Sequence, residues 1–163
     1  TTFKQVTGKS RIAYDDAVET ALCFGWIDSK PRSLDAERSM LWFSPRKKAS
    51  AWSKKNKERI EKLMAAGQMH EAGLVKVQEA KKDGSWQKLD SVEALEIPPD
   101  LLQAFQLHIG SIRNFEAFPR STKRAILEWI GNAKTEVTRS KRVTETATLA
   151  AKNIRANQWT KKC

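Results

Sequence analysis

The chain of 163 residues is poor in cysteine (two), histidine (two) and tyrosine (one), and carries only seven glycines and five prolines. Cys23 lies inside an apolar stretch and Cys163 ends the chain, so no disulfide framework is available, and Cys23 reads as a small core residue. His70 and His108 stand far from both cysteines, which leaves no zinc spacing, and we expect no metal and no cofactor. No apolar run approaches the roughly 20 residues of a membrane span, and no signal-peptide h-region opens the chain, so the expected location is the cytoplasm. G-x-S-x-G, G-x-x-x-x-G-K-[ST] and G-x-G-x-x-G are all missing. An unrecognised enzyme stays open as a reading, for instance through Asp28 paired with Asp35 or Glu37. Any chain with nineteen acids offers such pairs, however.

What the chain does hold is positive charge. Thirty Lys and Arg face nineteen Asp and Glu, for a formal charge of +11. Residues 30–62 carry a net +7 and residues 120–163 a net +8, whereas the segments before and between them are slightly acidic. Two basic blocks attract anionic partners, although net charge speaks to encounter and not to fold.

Periodicity predicts a mainly helical α+β protein. A helix over residues 15–24, with Asp15 as its N-cap, ends at Gly25. The stretch 24–28 and the aromatic run 39–45 read as two strands of a small antiparallel sheet, joined by a polar loop. Ser50 or Ser53 caps the next helix, with Trp52, Asn56, Ile60 and Leu63 on one face. A further helix follows around Leu74, Val77, Gln78 and Lys81. Residues 86–95 read as a loop between an N-terminal subdomain, 1–90, and a helical module, 97–158. Pro99 opens the first helix of that module. Ser121 is the expected cap of a later helix, and Val143, Ala147, Ala150 and Ile154 form the stripe of the last one. Residues 159–163 are expected to fray.

The stretch from Trp26 to Asn56 is the richest in chemistry. In paired strands Trp26 and Asp28 share a face, as do Trp42, Ser44 and Arg46. Indole walls with Arg38, Arg46 and Asp28 at the rim, completed by Trp52 and Asn56, would hold a planar or anionic ligand by stacking and bidentate hydrogen bonds. The plainer reading makes the tryptophans core fillers and Asp28 a turn or cap residue paired with an arginine. The basic blocks support a second function, nucleic-acid binding, with lysines tracking phosphates and Trp52 stacking on a base. Against it, no helix-turn-helix pattern and no RNP sequence is present, and a solvated lysine face is the ordinary case.

The string Ala21-Leu22-Cys23-Phe24-Gly25-Trp26-Ile27-Asp28-Ser29, then Phe43-Ser44-Pro45-Arg46-Lys47, then Trp52-Ser53 with Asn56, resembles the bacterial YdeI-like, OmpD-associated family, whose members are labelled bacteriocin-protection proteins. Ala80-Lys81-Lys82-Asp83-Gly84-Ser85-Trp86, Ile97-Pro98-Pro99-Asp100-Leu101 and the segment from Trp129 through Thr138, Arg139 and Arg142 extend the resemblance over nearly the whole chain. It implies a role in bacterial stress and protection, with no catalytic residue to carry over. Its signature positions add Lys134, Arg139 and Arg142 to the candidate ligand-binding set, and Arg139 and Arg142 are expected to close the pocket. Two departures stand out. Val137 replaces a glutamate at the start of the last helix, so an acidic first-turn partner is expected to be missing. The chain also begins in what resembles the middle of the family pattern, so an upstream helix and strand, and any targeting segment, are expected outside it, leaving a sheet edge exposed. A protein this basic is poorly suited to sequester cationic peptides directly, so the expected partner is an anionic small molecule or an acidic protein.

Overall fold

The computed structural model describes residues 1–158, so the expectation for residues 159–163 lies outside the described residues. The chain divides into two compact units, with the division between Leu89 and Asp90. The architecture is the mainly helical α+β one read from the sequence, with the strands in the N-terminal unit and helices throughout the other.

The N-terminal unit comprises β1 (Thr2–Phe3), a 3-10 turn at Gln5–Thr7, α1 (Tyr14–Cys23), β2 (Trp26–Asp28), β3 (Arg32–Ser33), β4 (Arg38–Met40), β5 (Phe43–Pro45), α2 (Lys54–Ala65) and α3 (Glu71–Lys82). The aromatic run 39–45 is not one strand. It breaks at Leu41 and Trp42, because β4 pairs antiparallel with β3 and β1 while β5 pairs antiparallel with β2. Two small sheets result, ordered β1-β4-β3 and β2-β5. The polar loop expected between the strands supplies β3, with Arg32 opposite Met40.

The helices pack Val18, Leu22 and Cys23 of α1, Ile60 and Leu63 of α2, and Val77 and Ala80 of α3 around Trp52. Ser53 caps α2, accepting from the Asn56 N–H at 3.3 Å. Gly73 lets α3 approach α1 closely: a Cβ there would lie 2.2 Å from the Cys23 carbonyl oxygen. Gly25, at φ +74°, ends α1, because its left-handed backbone is disfavoured for residues with a Cβ. The expected cap of α1 is displaced: Asp15 sits inside the first turn and Ala13 occupies the cap position without a side-chain bond.

The second unit comprises α4 (Asp90–Glu93), α5 (Pro99–Gln106), α6 (Ser111–Ala117), α7 (Arg120–Gly131) and α8 (Glu136–Ala151). Part of the expected loop is thus the short helix α4, which packs on α7. Small residues on α8, Ala147 and Ala150, are fully buried where α5, α6 and α7 pack on that helix, and Leu101, Phe105, Phe115, Ile126 and Ile130 complete the core. Pro119, not Ser121, holds the cap position of α7, and Ile154 is half exposed instead of closing the α8 stripe. The acidic first-turn residue expected to be missing from α8 is present as Glu136, one position before Val137, behind the capping side chain of Thr135.

Candidate anion site

Arg46 follows β5, and its backbone N–H donates to the Gly25 carbonyl at 2.9 Å, which turns the side chain inward. The residue is 4% exposed, and its guanidinium carbon lies 3.7 Å from the centroid of the Trp52 ring, itself 1% exposed. Trp86 packs on the same indole at 5.0 Å between ring centroids. Nη2 donates to the Ala51 carbonyl at 2.5 Å, whereas Nε and Nη1 find no partner among the described residues. Burial pushes the guanidinium pKa down to about 10, so the group stays cationic at neutral pH.

No carboxylate among the described residues pairs with this cation. Arg46 lines a narrow cavity of about 10 Å³ together with Lys47, Lys48, Lys76, Glu79 and Asp83. Glu79 is taken by Lys76 at 2.9 Å. Asp83 accepts from the N–H groups of Ser85 at 2.9 Å and Ala49 at 3.2 Å. Ser85, which donates its N–H to the carboxylate, holds Asp83 below the usual carboxylate range, helped by the Ala49 N–H and the charge of Lys48. A buried charge is ordinarily paired. Here stacking on an indole and one carbonyl are all the partners the described residues supply.

The other sequence-derived residues of this unit do not gather around Arg46 and Trp52. Trp26 lies opposite Pro45 in the β2–β5 pair and is 42% exposed beside Phe24 and Phe43. Asp28 accepts from the Tyr14 hydroxyl at 2.6 Å, a bond that raises the tyrosine pKa. Arg38 is exposed and paired with Asp35 at 2.6 Å. Asn56 is buried, but its side-chain oxygen accepts from Arg59 at 2.9 Å, and Arg59 also binds Asp15. Trp52 is too deeply covered to stack on a base.

In the second unit, Arg139 holds Asp100 through two bonds at 2.6 and 3.0 Å, keeping that carboxyl below its usual range. Arg142 donates to the Trp129 carbonyl and lies 4.9 Å from that ring's centroid. Lys134 is exposed. Sequence reasoning passed over Arg59, which its spacing of three from Asn56 could have signalled, and it put Trp42 on one face with Arg46, whereas Trp42 is 72% exposed and Arg46 is buried. A hollow of about 480 Å³ beside α1 is lined largely by apolar side chains, among them Phe3, Ile12, Leu41 and Phe43.

Two family models match the chain. Residues 94–153 match the family described as Bacteriocin-protection, YdeI or OmpD-Associated. Residues 1–76 match a domain of unknown function, DUF8412. No curated protein and no solved structure matches. The resemblance drawn from the sequence motifs is therefore supported over the C-terminal helices, whereas the Trp26 and Arg46 motifs fall in the segment matched by the second family. No helix among the described residues is long and apolar enough to cross a membrane. Nor do those residues hold a group of three or more His, Cys, Asp or Glu suited to a metal ion.

Proposed function

We propose that this is a bacteriocin-protection-type protein that works in the cytoplasm by binding and not by catalysis, and that the N-terminal unit takes a small oxyanion at Arg46. The observation that carries the reading is a buried, cationic guanidinium with two unpartnered donor nitrogens and no counter-ion among the described residues. Leaving such donors unpaired costs roughly 1–3 kcal/mol each, more for a charged group. An anion oxygen would remove that cost. The cavity of about 10 Å³ has room for about one water-sized atom. One oxygen of a phosphate or carboxylate would enter, and the rest of the group would stay at the mouth near the exposed Lys47 and Lys48. The net charge of +11 favours the encounter.

Inorganic phosphate, titrated at constant ionic strength against sodium chloride, tests this by calorimetry and thermal unfolding. A saturable site would stabilise the fold by roughly 2.7 kcal/mol at a hundred-fold excess over Kd. Arg46→Met should abolish the effect while preserving the stacked shape on Trp52. Lys47→Ala with Lys48→Ala, both exposed, should weaken binding with the fold intact. Equal phosphate responses in the parent and all these variants would remove Arg46 from the function.

A further inference from the structure

A second opening lies elsewhere in the N-terminal unit. Its cavity of about 230 Å³ is lined by Ser29, Lys30, Arg32, Met40 and Trp42. The backbone that shapes it follows from the break in the aromatic run. Leu41 turns inward against the helical core and Trp42 turns outward. The Trp42 carbonyl accepts from the Ser29 N–H at 2.8 Å, which fixes the residue beside the chain leaving β2. Across the β3–β4 pair Arg32 stands opposite Met40. An indole 72% exposed is a large apolar surface left in water, and Trp is ordinarily highly buried.

The charges around it are arranged in one sense. Neither Lys30 nor Arg32 forms an ion pair with a described residue, and no acid lines the opening. The acids of the neighbouring segments are engaged: Asp28 by Tyr14, Asp35 by Arg38 and Glu37 by Lys9, each at 2.6 Å. The result is a flat aromatic face, a thioether and two uncommitted cations around one hollow.

We infer that this hollow is a nucleotide subsite, with a base stacked on Trp42 and its phosphate held by Lys30 and Arg32. A bare phosphate would leave the indole and most of the volume unused. The volume falls just below the roughly 300 Å³ at which sites for drug-sized ligands begin, which suits one nucleotide unit. Stacking on an aromatic face tolerates any base, so the subsite reads chemistry and not sequence. The same unit comes from a free nucleotide or from a single strand. None of the residues around Arg46 borders this hollow, and either site stands if the other fails.

Calorimetric titration with adenosine 5′-monophosphate, adenosine, glucose 6-phosphate and a single-stranded oligoadenylate tests the assignment. The monophosphate should bind more tightly than adenosine or glucose 6-phosphate. Trp42→Ala should weaken it roughly 5- to 150-fold, and Trp42→Phe should restore most of the loss. Lys30→Ala with Arg32→Ala should make adenosine and its monophosphate bind alike. All three side chains are exposed, so circular dichroism should be unchanged in these variants. An oligonucleotide that binds far more tightly than the monophosphate, with affinity falling steeply as salt rises, would identify the strand as the source. Equal affinities would identify the free nucleotide. Absence of saturable binding by both, unchanged binding in folded Trp42→Ala, or glucose 6-phosphate binding as tightly as the nucleotide would each overturn the inference.

Discussion

The guanidinium of Arg46 lies flat enough on Trp52 to bring its central carbon within 3.7 Å of the ring centroid, and both residues are almost completely withdrawn from solvent. The indole is the larger contributor to stability because α1, α2 and α3 pack around it. Trp52→Ala should destabilise the N-terminal unit by about 3–5 kcal/mol, through lost transfer energy and the cavity left behind. Urea unfolding followed by circular dichroism would show the midpoint fall. An unchanged midpoint would mean the ring is not a core element.

The Arg46 side chain invites the opposite expectation for stability. With no carboxylate partner to strand, Arg46→Met exchanges an unpaired buried charge for an apolar chain of similar reach, and such replacements are often neutral or stabilising. Its melting temperature in phosphate-free buffer should equal or exceed that of the parent. A loss of several degrees would show that the bond to the Ala51 carbonyl and the stacking outweigh the desolvation of the charge.

Two glycines should respond in opposite directions to alanine. At Gly73 the new Cβ would lie 2.2 Å from the Cys23 carbonyl oxygen and 2.9 Å from that of Leu22. Relief requires α3 to move off α1, at a cost of roughly 1–3 kcal/mol or more. At Gly131, the last residue of α7, nothing lies within 4 Å. Gly131→Ala should stabilise by roughly 0.4–1 kcal/mol by restricting the unfolded chain. Paired denaturation curves for the two variants decide both.

The bond pair between Arg139 and Asp100 makes the helical unit sensitive to acid. Asp100 titrates below the ordinary aspartate value of about 3.9 because Arg139 bonds to and faces its carboxylate. A depressed folded-state pKa contributes stability that is fully present above about pH 4 and is lost as pH falls through the lowered value. Both partners are partly solvated, so the contribution is modest, about 1 kcal/mol or less. Asp100→Asn should lower the melting temperature at pH 6, and the gap to the parent should close towards pH 2.5. A gap independent of pH would refute the linkage.

Cys23 is buried, and desolvation raises its thiol pKa. In a Cys163→Ser background a disulfide reagent should modify it only at the rate of unfolding, with sharp acceleration in urea. Immediate stoichiometric modification of the folded protein would place the thiol at the surface.

Elements held by neighbouring residues were legible without coordinates. Ser53 caps α2, and Trp52, Asn56, Ile60 and Leu63 are all buried along one side of it, as a period of 3.6 requires. Where the cap position is held by a residue without a capping side chain, Ala13 at α1 and Pro119 at α7, local reasoning slipped by two residues. The division of residues 39–45 between two sheets was illegible, because β4 selects β1 and β3 while β5 selects β2, and strand partners are not encoded in alternation. That break also separated the tryptophans. Trp52 joined the core and Trp42 the surface, although both sit in aromatic, basic surroundings in the sequence.

The amino-acid order by itself determined the helix-rich α+β character, the two basic blocks and the resemblance of the C-terminal helices to the protection family, since periodicity, composition and motif are local properties. Only the tertiary structure decided that Arg46 is buried on an indole without a counter-ion while Lys30 and Arg32 stand uncommitted beside another. Burial and pairing depend on which distant segments meet, and the same arginine codon for codon is a solvated charge or an unsatisfied one according to what packs over it.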